Sequence, residues 1–152
     1  MSRKHPVIAV TGSSGAGTTT VKRAFENIFR REKITAAVIE GDSLHSLDRM
    51  AFRTASAEAA KAGNNTFSHF GPEANHFDKI EALFKSYGET GTGKKRYYLH
   101  NEDEAAEHNK RLGTALKAGE FSPWEDIPSG TDLMFYEGLH GGVVDSKAGV
   151  DV

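Results

Sequence analysis

The stretch PVIAVTGSSGAGTTTVKRAFENIFRRE (residues 6–32) decides the fold class of this chain. It begins with a β-branched apolar run, which is typical of a buried strand, and passes into a glycine-rich loop. The segment after the loop has apolar side chains at helical spacing: Val21, Phe25, Ile28 and Phe29. A second apolar run, TAAVIEGD (35–42), follows directly. Strand, loop, helix and strand in this order predict a βαβ unit, and therefore an α/β fold with a parallel sheet.

The glycine loop itself, GSSGAGTTT (12–20), has the composition of a phosphate-binding loop. Its glycines allow backbone N–H groups to point inward beside a helix N-terminus, which suits an anion. A plain turn with solubilising serines is the alternative, but the flanking strand and helix favour phosphate binding. Thr19 takes the position of the hydroxyl residue that binds Mg²⁺ in such loops. The predicted phosphate-binding residues are Gly12, Ser13, Ser14, Gly15, Ala16, Gly17, Thr18, Thr19 and Thr20.

One position departs from the common pattern G-x-x-x-x-G-K-[ST], because Thr18 stands where the lysine is expected. Loss of one donor to a developing negative charge costs about 3 kcal/mol, or roughly 10²-fold in rate. A working kinase of this type therefore needs a positive charge from elsewhere.

The stretch IEGDSLHSLDR (39–49) carries a second group of candidates. Asp42 lies just past the carboxyl end of the second strand, where α/β sheets bind their ligands. There it is placed to accept the proton of a substrate hydroxyl while that oxygen attacks a γ-phosphate in line. His45 and Arg49 lie three and seven residues further on, so a helical turn is predicted to bring all three to one face. A capping aspartate with solvated charges is the alternative.

Two later stretches add candidates. DLMFYEGLHG (132–141) is an apolar strand ending in Glu137, which is placed to serve Mg²⁺ directly or through water, although an ordinary strand end would look similar. GETGTGKKRYYLH (88–100) contains a predicted strand at 96–100. Its cations suited to a phosphate are Lys94, Lys95, Arg96 and His100, with Tyr97 and Tyr98 as hydrogen-bonding or stacking groups. A solvated hairpin is the rival interpretation for the two lysines.

The rest of the chain predicts a helix at 48–62, a loop at 63–75, and a helix at 73–88 opened by Pro72. Residues 101–120 are charged and fit no single element. With three convincing parallel strands, where open sheets usually have about five, the domain is either small or part of a larger one.

Bulk composition limits the function further. A length of 152 residues suits one domain, and a net charge of −2 offers no basic field for nucleic acid. The acidic run NEDEAAE after residue 100 also opposes a polyanion. No apolar stretch reaches the length of a membrane span, and without cysteine the chain has no disulfide or thiol switch. These features predict a cytoplasmic protein that binds neither membrane nor nucleic acid.

The motifs GSSGAGTTT, EGDSLH, FGPEAN, YGETGTGKKRYYLH and FYEGLHGGVV, in this order, resemble the bacterial type of phosphoribulokinase. This type belongs to the phosphoribulokinase/uridine kinase family of P-loop kinases, and it carries threonine where most P-loops carry lysine. The resemblance implies a P-loop NTPase-like parallel sheet flanked by helices, incomplete relative to the family domain. Residues 1–152 are accordingly expected to be the N-terminal part of a P-loop kinase domain.

The resemblance also implies a reaction: ATP-dependent phosphorylation of the 1-hydroxyl of D-ribulose 5-phosphate to D-ribulose 1,5-bisphosphate, a step of carbon fixation in the Calvin cycle. Asp42 is implied as the general base, and loop residues 12–20 as the ATP site. Thr19 and Glu137 are implied for Mg²⁺. The implied residues for the sugar phosphate are His45, Arg49, Tyr98 and His100.

Further expectations follow from the same resemblance. A homo-oligomer controlled by NADH and AMP is expected, with Arg31 as a candidate for the effector site, and thioredoxin control is excluded by the lack of cysteine. We expect residues 1–152 to hold about half an active site and to turn over poorly. The alternatives are a P-loop kinase for another small hydroxyl substrate such as a nucleoside, and a non-catalytic ATP-binding remnant.

Overall fold

The computed structural model of the chain describes residues 3–13 and 15–152, so Ser14 of the predicted loop lies outside the described residues. The helices are α1 (Thr18–Glu32), α2 (Arg49–Lys61), α3 (Phe77–Thr90) and α4 (Glu102–Leu112), with 3₁₀ turns at Gly41–Leu44 and Pro72–Ala74. The strands are β1 (Val7–Val10), β2 (Ala36–Glu40), β3 (Lys94–Lys95), β4 (Glu125–Asp126), β5 (Leu133–Glu137), β6 (Val144–Asp145) and β7 (Val150–Asp151). Among these described residues, no helix is long and apolar enough to cross a membrane.

The chain divides into two compact units. The first, which we call the sheet unit, comprises Met1–Gly41, Phe77–Lys95 and Glu125–Val152. The second, which we call the inserted unit, comprises Asp42–His76 and Arg96–Trp124.

The sheet unit is built on three parallel strands in the order β1-β5-β2, which confirms the predicted βαβ arrangement. The central strand β5 is buried along almost its whole length, and its side chains alternate between the two faces. Phe135 packs against Phe25 and Phe29 of α1, with ring centroids 5.0 and 5.5 Å away. On the other face, Tyr136 meets Phe84 of α3 at 5.4 Å. Helices therefore cover both faces, as a parallel sheet requires.

Two predicted elements and part of one predicted apolar face differ from the structure. The helix predicted from residue 73 begins at Phe77, because Pro72 opens a separate 3₁₀ turn and Asn75 is extended. The strand predicted at 96–100 is wrong: β3 ends at Lys95, and Tyr98 makes a single bridge to Phe121. Of the apolar positions predicted for α1, Val21 and Ile28 remain 39% and 40% exposed.

Helix α1 ends on a lysine in a conformation that favours glycine. Lys33 has φ 56° and ψ 36°, and Ile34 N–H donates back to the Phe29 carbonyl at 2.8 Å in a Schellman-type end. We expect Lys33→Gly to raise the free energy of unfolding by about 0.5–1 kcal/mol, because the left-handed strain of the β-carbon is removed. Urea unfolding measures this change.

The matched control is the end of α4, where Gly113 has φ 67°. Gly113→Ala introduces the β-carbon that Lys33→Gly removes, so its effect should be of similar size and opposite sign. Two changes of the same sign would contradict this explanation.

Candidate active site

The predicted site residues fall into two groups, one in each unit. The sheet unit contains the glycine loop, Thr19 and Glu137, whereas the inserted unit contains Asp42, His45, Arg49, Tyr98 and His100.

The glycine loop leads from β1 into α1. Gly15 and Gly17 have φ of 83° and 81°, and a β-carbon at either would meet open space. Gly12 differs, since a β-carbon there would lie 2.8 Å from Thr18 Cγ2. Gly12 is therefore required by close packing, whereas Gly15 and Gly17 are required by their positive φ angles.

The start of α1 suits an anion. Gly17 caps the helix without a side-chain acceptor, and no acidic residue lies in the first turn of α1, all of which is described. First-turn N–H groups and the helix dipole then face outward without a negative partner from the cap. This is the arrangement expected of a phosphate site.

An ion pair near this loop was not predicted. Lys22, one helical turn after Thr18, makes a short hydrogen bond to Glu40 at the end of β2, and Glu26 lies 3.9 Å away. Burial opposes the charge on Lys22, but Glu40, Glu26 and Glu137 together raise its pKa above the ordinary value. Lys22 lies four residues after Thr18, so both residues are on one side of α1. This spacing was a signal in the sequence by which Lys22 could have been found.

In the inserted unit, Asp42 lies between two imidazoles. Its Oδ2 is 3.1 Å from Nε2 of His100, and its Oδ1 is 3.5 Å from Nε2 of His45. The hydrogen bonds with His100 and His45 hold the pKa of Asp42 well below its usual range, although burial works in the opposite direction. Asp42 is therefore ionised at physiological pH and acts as an acceptor.

The protonation of His45 follows from its neighbours. The amide nitrogen of Asn75 donates to the carbonyls of His69 and Gly71 at 2.8 Å each, which turns the amide oxygen towards His45 Nδ1 at 2.8 Å. An amide oxygen accepts only, so Nδ1 carries a hydrogen, and Nε2 faces the Asp42 carboxylate. Burial lowers the pKa of His45, but the bonds to Asp42 and Asn75 outweigh it and raise the pKa above its ordinary value.

Arg49 begins α2, and its guanidinium contacts Tyr98 and His100. Nε donates to the Tyr98 hydroxyl at 3.3 Å, and an Nη donates to the His100 carbonyl at 3.0 Å. The rings of Tyr98 and His100 meet edge to face at 4.9 Å. Arg49, Tyr98 and His100 therefore form one contact cluster.

The single helical turn predicted to align Asp42, His45 and Arg49 is wrong. Asp42 lies in the 3₁₀ turn Gly41–Leu44, whereas Arg49 begins a new helix. Asp48 causes this break, since it is extended and its carboxylate caps α2 by accepting Ala51 N–H at 2.8 Å.

Arg96 has a structural role instead of the phosphate contact considered from the sequence. Its Nε donates to the Ser43 carbonyl at 2.7 Å, and an Nη donates to the His45 carbonyl at 2.6 Å. The guanidinium lies 3.6 Å from the Phe121 ring centroid and 4.5 Å from that of Trp124. Arg96 thus fixes the backbone that carries Asp42 and His45.

Lys94 makes an exposed pair with Asp126 at 2.6 Å, as the hairpin interpretation predicts.

The parallel sheet with a glycine loop between β1 and α1 defines a P-loop nucleotide-binding fold, and the carboxylate of Asp42 suits a phosphotransferase. The Phosphoribulokinase / Uridine kinase family matches residues 7–151. The chain belongs to this family, and membership of a kinase family implies the use of ATP.

Individual relatives agree. A phosphoribulokinase of Nitrobacter vulgaris is 55% identical over 150 residues, which are 99% of this chain and 50% of that protein. A probable phosphoribulokinase of Escherichia coli K12 is 53% identical over 144 residues, 95% of this chain and 47% of that one. The solved structure of phosphoribulokinase from Rhodobacter spheroides matches with a TM-score of 0.81 and 45% identity, covering 99% of this chain and 48% of that chain. The chain thus spans about half the length of the relatives it matches.

Proposed function

We propose that the protein is an ATP-dependent sugar-phosphate kinase that converts D-ribulose 5-phosphate to D-ribulose 1,5-bisphosphate. The observation that carries this proposal is the Asp42 carboxylate held between His45 and His100, in contact with the Arg49 cluster. A carboxylate among cations can accept from a hydroxyl while the cations attract a phosphate. The names of the similar proteins supply the particular substrate.

Asp42 is the proposed general base. Phosphoryl transfer makes a small demand on base strength and a large one on the position of the attacking oxygen, so a carboxylate with a lowered pKa suffices. The two imidazoles orient both of its oxygens. The proton of the 1-hydroxyl would pass to Asp42 as the oxygen attacks.

The sugar phosphate is proposed to contact His45, Arg49, Tyr98 and His100. Arg49 has five N–H donors, of which two serve Tyr98 and the His100 carbonyl, and a planar guanidinium suits phosphate oxygens. A substrate without the 5-phosphate should lose much of this attraction.

Loop residues 12–20 are proposed to hold the phosphates of ATP through their backbone N–H groups. Mg²⁺ would be held by the Thr19 hydroxyl and Glu137 together with phosphate oxygens, which is a common magnesium arrangement. Within the described residues, no group of three or more His, Asp or Glu could hold a metal, so phosphate oxygens are needed in this proposal. When bound, ATP with Mg²⁺ supplies the γ-phosphoryl group.

Acceptor specificity tests the proposal. ADP release is measured at fixed ATP and Mg²⁺ with D-ribulose 5-phosphate, with D-ribulose, with uridine, and without acceptor. We expect release to depend on D-ribulose 5-phosphate and to give the 1,5-bisphosphate by mass spectrometry. The comparison between acceptors carries the test, because residues 1–152 are expected to turn over poorly. Uridine-dependent release would support the nucleoside kinase, and ATP binding without acceptor dependence would support the non-catalytic remnant.

The remaining properties stay predictions of the sequence: a cytoplasmic location, a homo-oligomer, and control by NADH and AMP. Arg31, the candidate effector residue, is exposed and pairs with Glu32 at 2.8 Å.

A further inference from the structure

Glu104, the third residue of α4, touches His100 with its carboxylate. Oε2 accepts the backbone N–H of His100 at 2.9 Å and lies 3.1 Å from the ring nitrogen Nδ1. Oε1 accepts from the amide of Asn101 at 3.1 Å. Both carboxylate oxygens are therefore committed to the segment that carries His100.

The start of α4 holds this carboxylate in place. Asn101 is the N-cap, and its side-chain oxygen accepts Glu104 N–H at 2.9 Å. This resembles a capping box, in which a cap residue and an acid three residues later bond back to each other. Here the acid reaches one residue further back, to the N–H of His100. The helix start and the His100 side chain are thus one hydrogen-bonded unit.

The consequence falls on the imidazole of His100. Nδ1 faces Glu104 and Nε2 faces Asp42 at 3.1 Å, and an ionised carboxylate accepts but does not donate. Each ring nitrogen therefore carries a hydrogen. The edge-to-face contact with Tyr98 restricts rotation of the ring.

We propose that Glu104 is a positioning residue, which holds the His100 ring so that Nε2–H is directed at the Asp42 carboxylate. The orientation itself is independent of the reaction. Its consequence for substrate binding, a fixed positive charge beside Asp42, rests on the proposed function. Glu104 touches neither substrate nor reacting atoms in this proposal, and it acts through His100.

The charge on His100 depends on all of its neighbours. Asp42 and Glu104 face its ring nitrogens, the Arg49 guanidinium contacts its carbonyl, and the Tyr98 ring meets its edge. The hydrogen bond with Asp42 is the main cause that raises the pKa of His100 to about 9, partial burial opposes it, and Glu104 adds to it. The ring is therefore charged below about pH 9 and loses its charge as the pH rises through that value.

The decisive variant is Glu104→Gln. Glutamine keeps an oxygen that can accept the N–H of His100, and glutamine is also used in capping boxes, so the helix start should persist. What is lost is the negative charge beside Nδ1. NMR titration should then show the pKa of His100 about one unit below that of the unaltered protein.

Asp103→Asn is the matched control, because Asp103 is an exposed acid in the same first turn of α4. It removes the same charge from the helix N-terminus and should leave the pKa of His100 within about 0.2 units. Glu104→Asp keeps the charge and should restore part of the shift. An unchanged pKa in Glu104→Gln, or an equal fall in Asp103→Asn, would overturn the proposal.

A kinetic readout separates this inference from the proposed function. If both hold, KM for D-ribulose 5-phosphate rises with pH, and in Glu104→Gln this rise begins about one pH unit lower, with a smaller change in kcat. If the pKa of His100 falls in Glu104→Gln while the KM profile is unchanged, the positioning by Glu104 stands and the proposed role of His100 in substrate binding fails.

Discussion

Asp42→Asn is expected to lower D-ribulose 5-phosphate-dependent ADP release by about 10²- to 10⁴-fold, the range typical of a general acid–base group. Asparagine has nearly the same shape and keeps one acceptor oxygen, but it cannot take the hydroxyl proton. It also removes the negative charge between His45 and His100, so the pKa of His100 should fall from about 9. Initial rates and a histidine NMR titration measure the two effects.

Asp48→Asn is the control for this variant. It makes the same chemical change six residues along the chain, where Asp48 caps α2, and asparagine caps helices as well as aspartate. Its rate should stay within about twofold of the unaltered protein, since a cap residue has no part in proton transfer. Equal rates for Asp42→Asn and the unaltered protein would favour the ATP-binding remnant over the kinase.

The elements that were predicted correctly are those with a strong local signal. β1, α1, β2 and β5 each have an apolar pattern of the right period, which can be recognised within the segment itself. Helix α4 was missed, because most of its residues are charged or polar and only Ala105 is buried, which leaves a weak apolar periodicity. Its capping signature, Asn101 followed by Glu104, was available as a signal.

In the candidate site, too, local sequence patterns indicated some residues and not others. Position after a strand indicated Asp42, and motif resemblance indicated His45, Arg49, Tyr98 and His100; their roles stay predictions. The residues that orient them were not selected, because their contacts are set by tertiary structure. Asn75 meets His45 across thirty positions of sequence, and no local pattern encodes such a pair.

Arg96 is the clearest case, because its sequence context indicated a ligand-binding cation while its environment is internal. Burial lowers the pKa of Arg96 to about 10, which leaves it charged at neutral pH. Its guanidinium makes two hydrogen bonds to carbonyls on either side of Leu44 and contacts two aromatic rings. Charge-assisted hydrogen bonds contribute about 1.5–3 kcal/mol each, and a desolvated cation–π contact up to about 2 kcal/mol.

Arg96→Met is therefore expected to lower the free energy of unfolding by about 3–5 kcal/mol, a large share of the roughly 5–15 kcal/mol of a typical domain. Arg96→Lys should lose about half as much, because an ammonium keeps the charge but cannot reach both carbonyls with a planar fork. Arg111→Met is the control: Arg111 is also near an aromatic ring, Tyr97 at 5.8 Å, but is exposed, so its loss should stay below about 1 kcal/mol. Urea unfolding measures all three. Similar losses for Arg96→Met and Arg111→Met would contradict the structural role of Arg96, since the carbonyl contacts of Ser43 and His45 are what distinguish the two arginines.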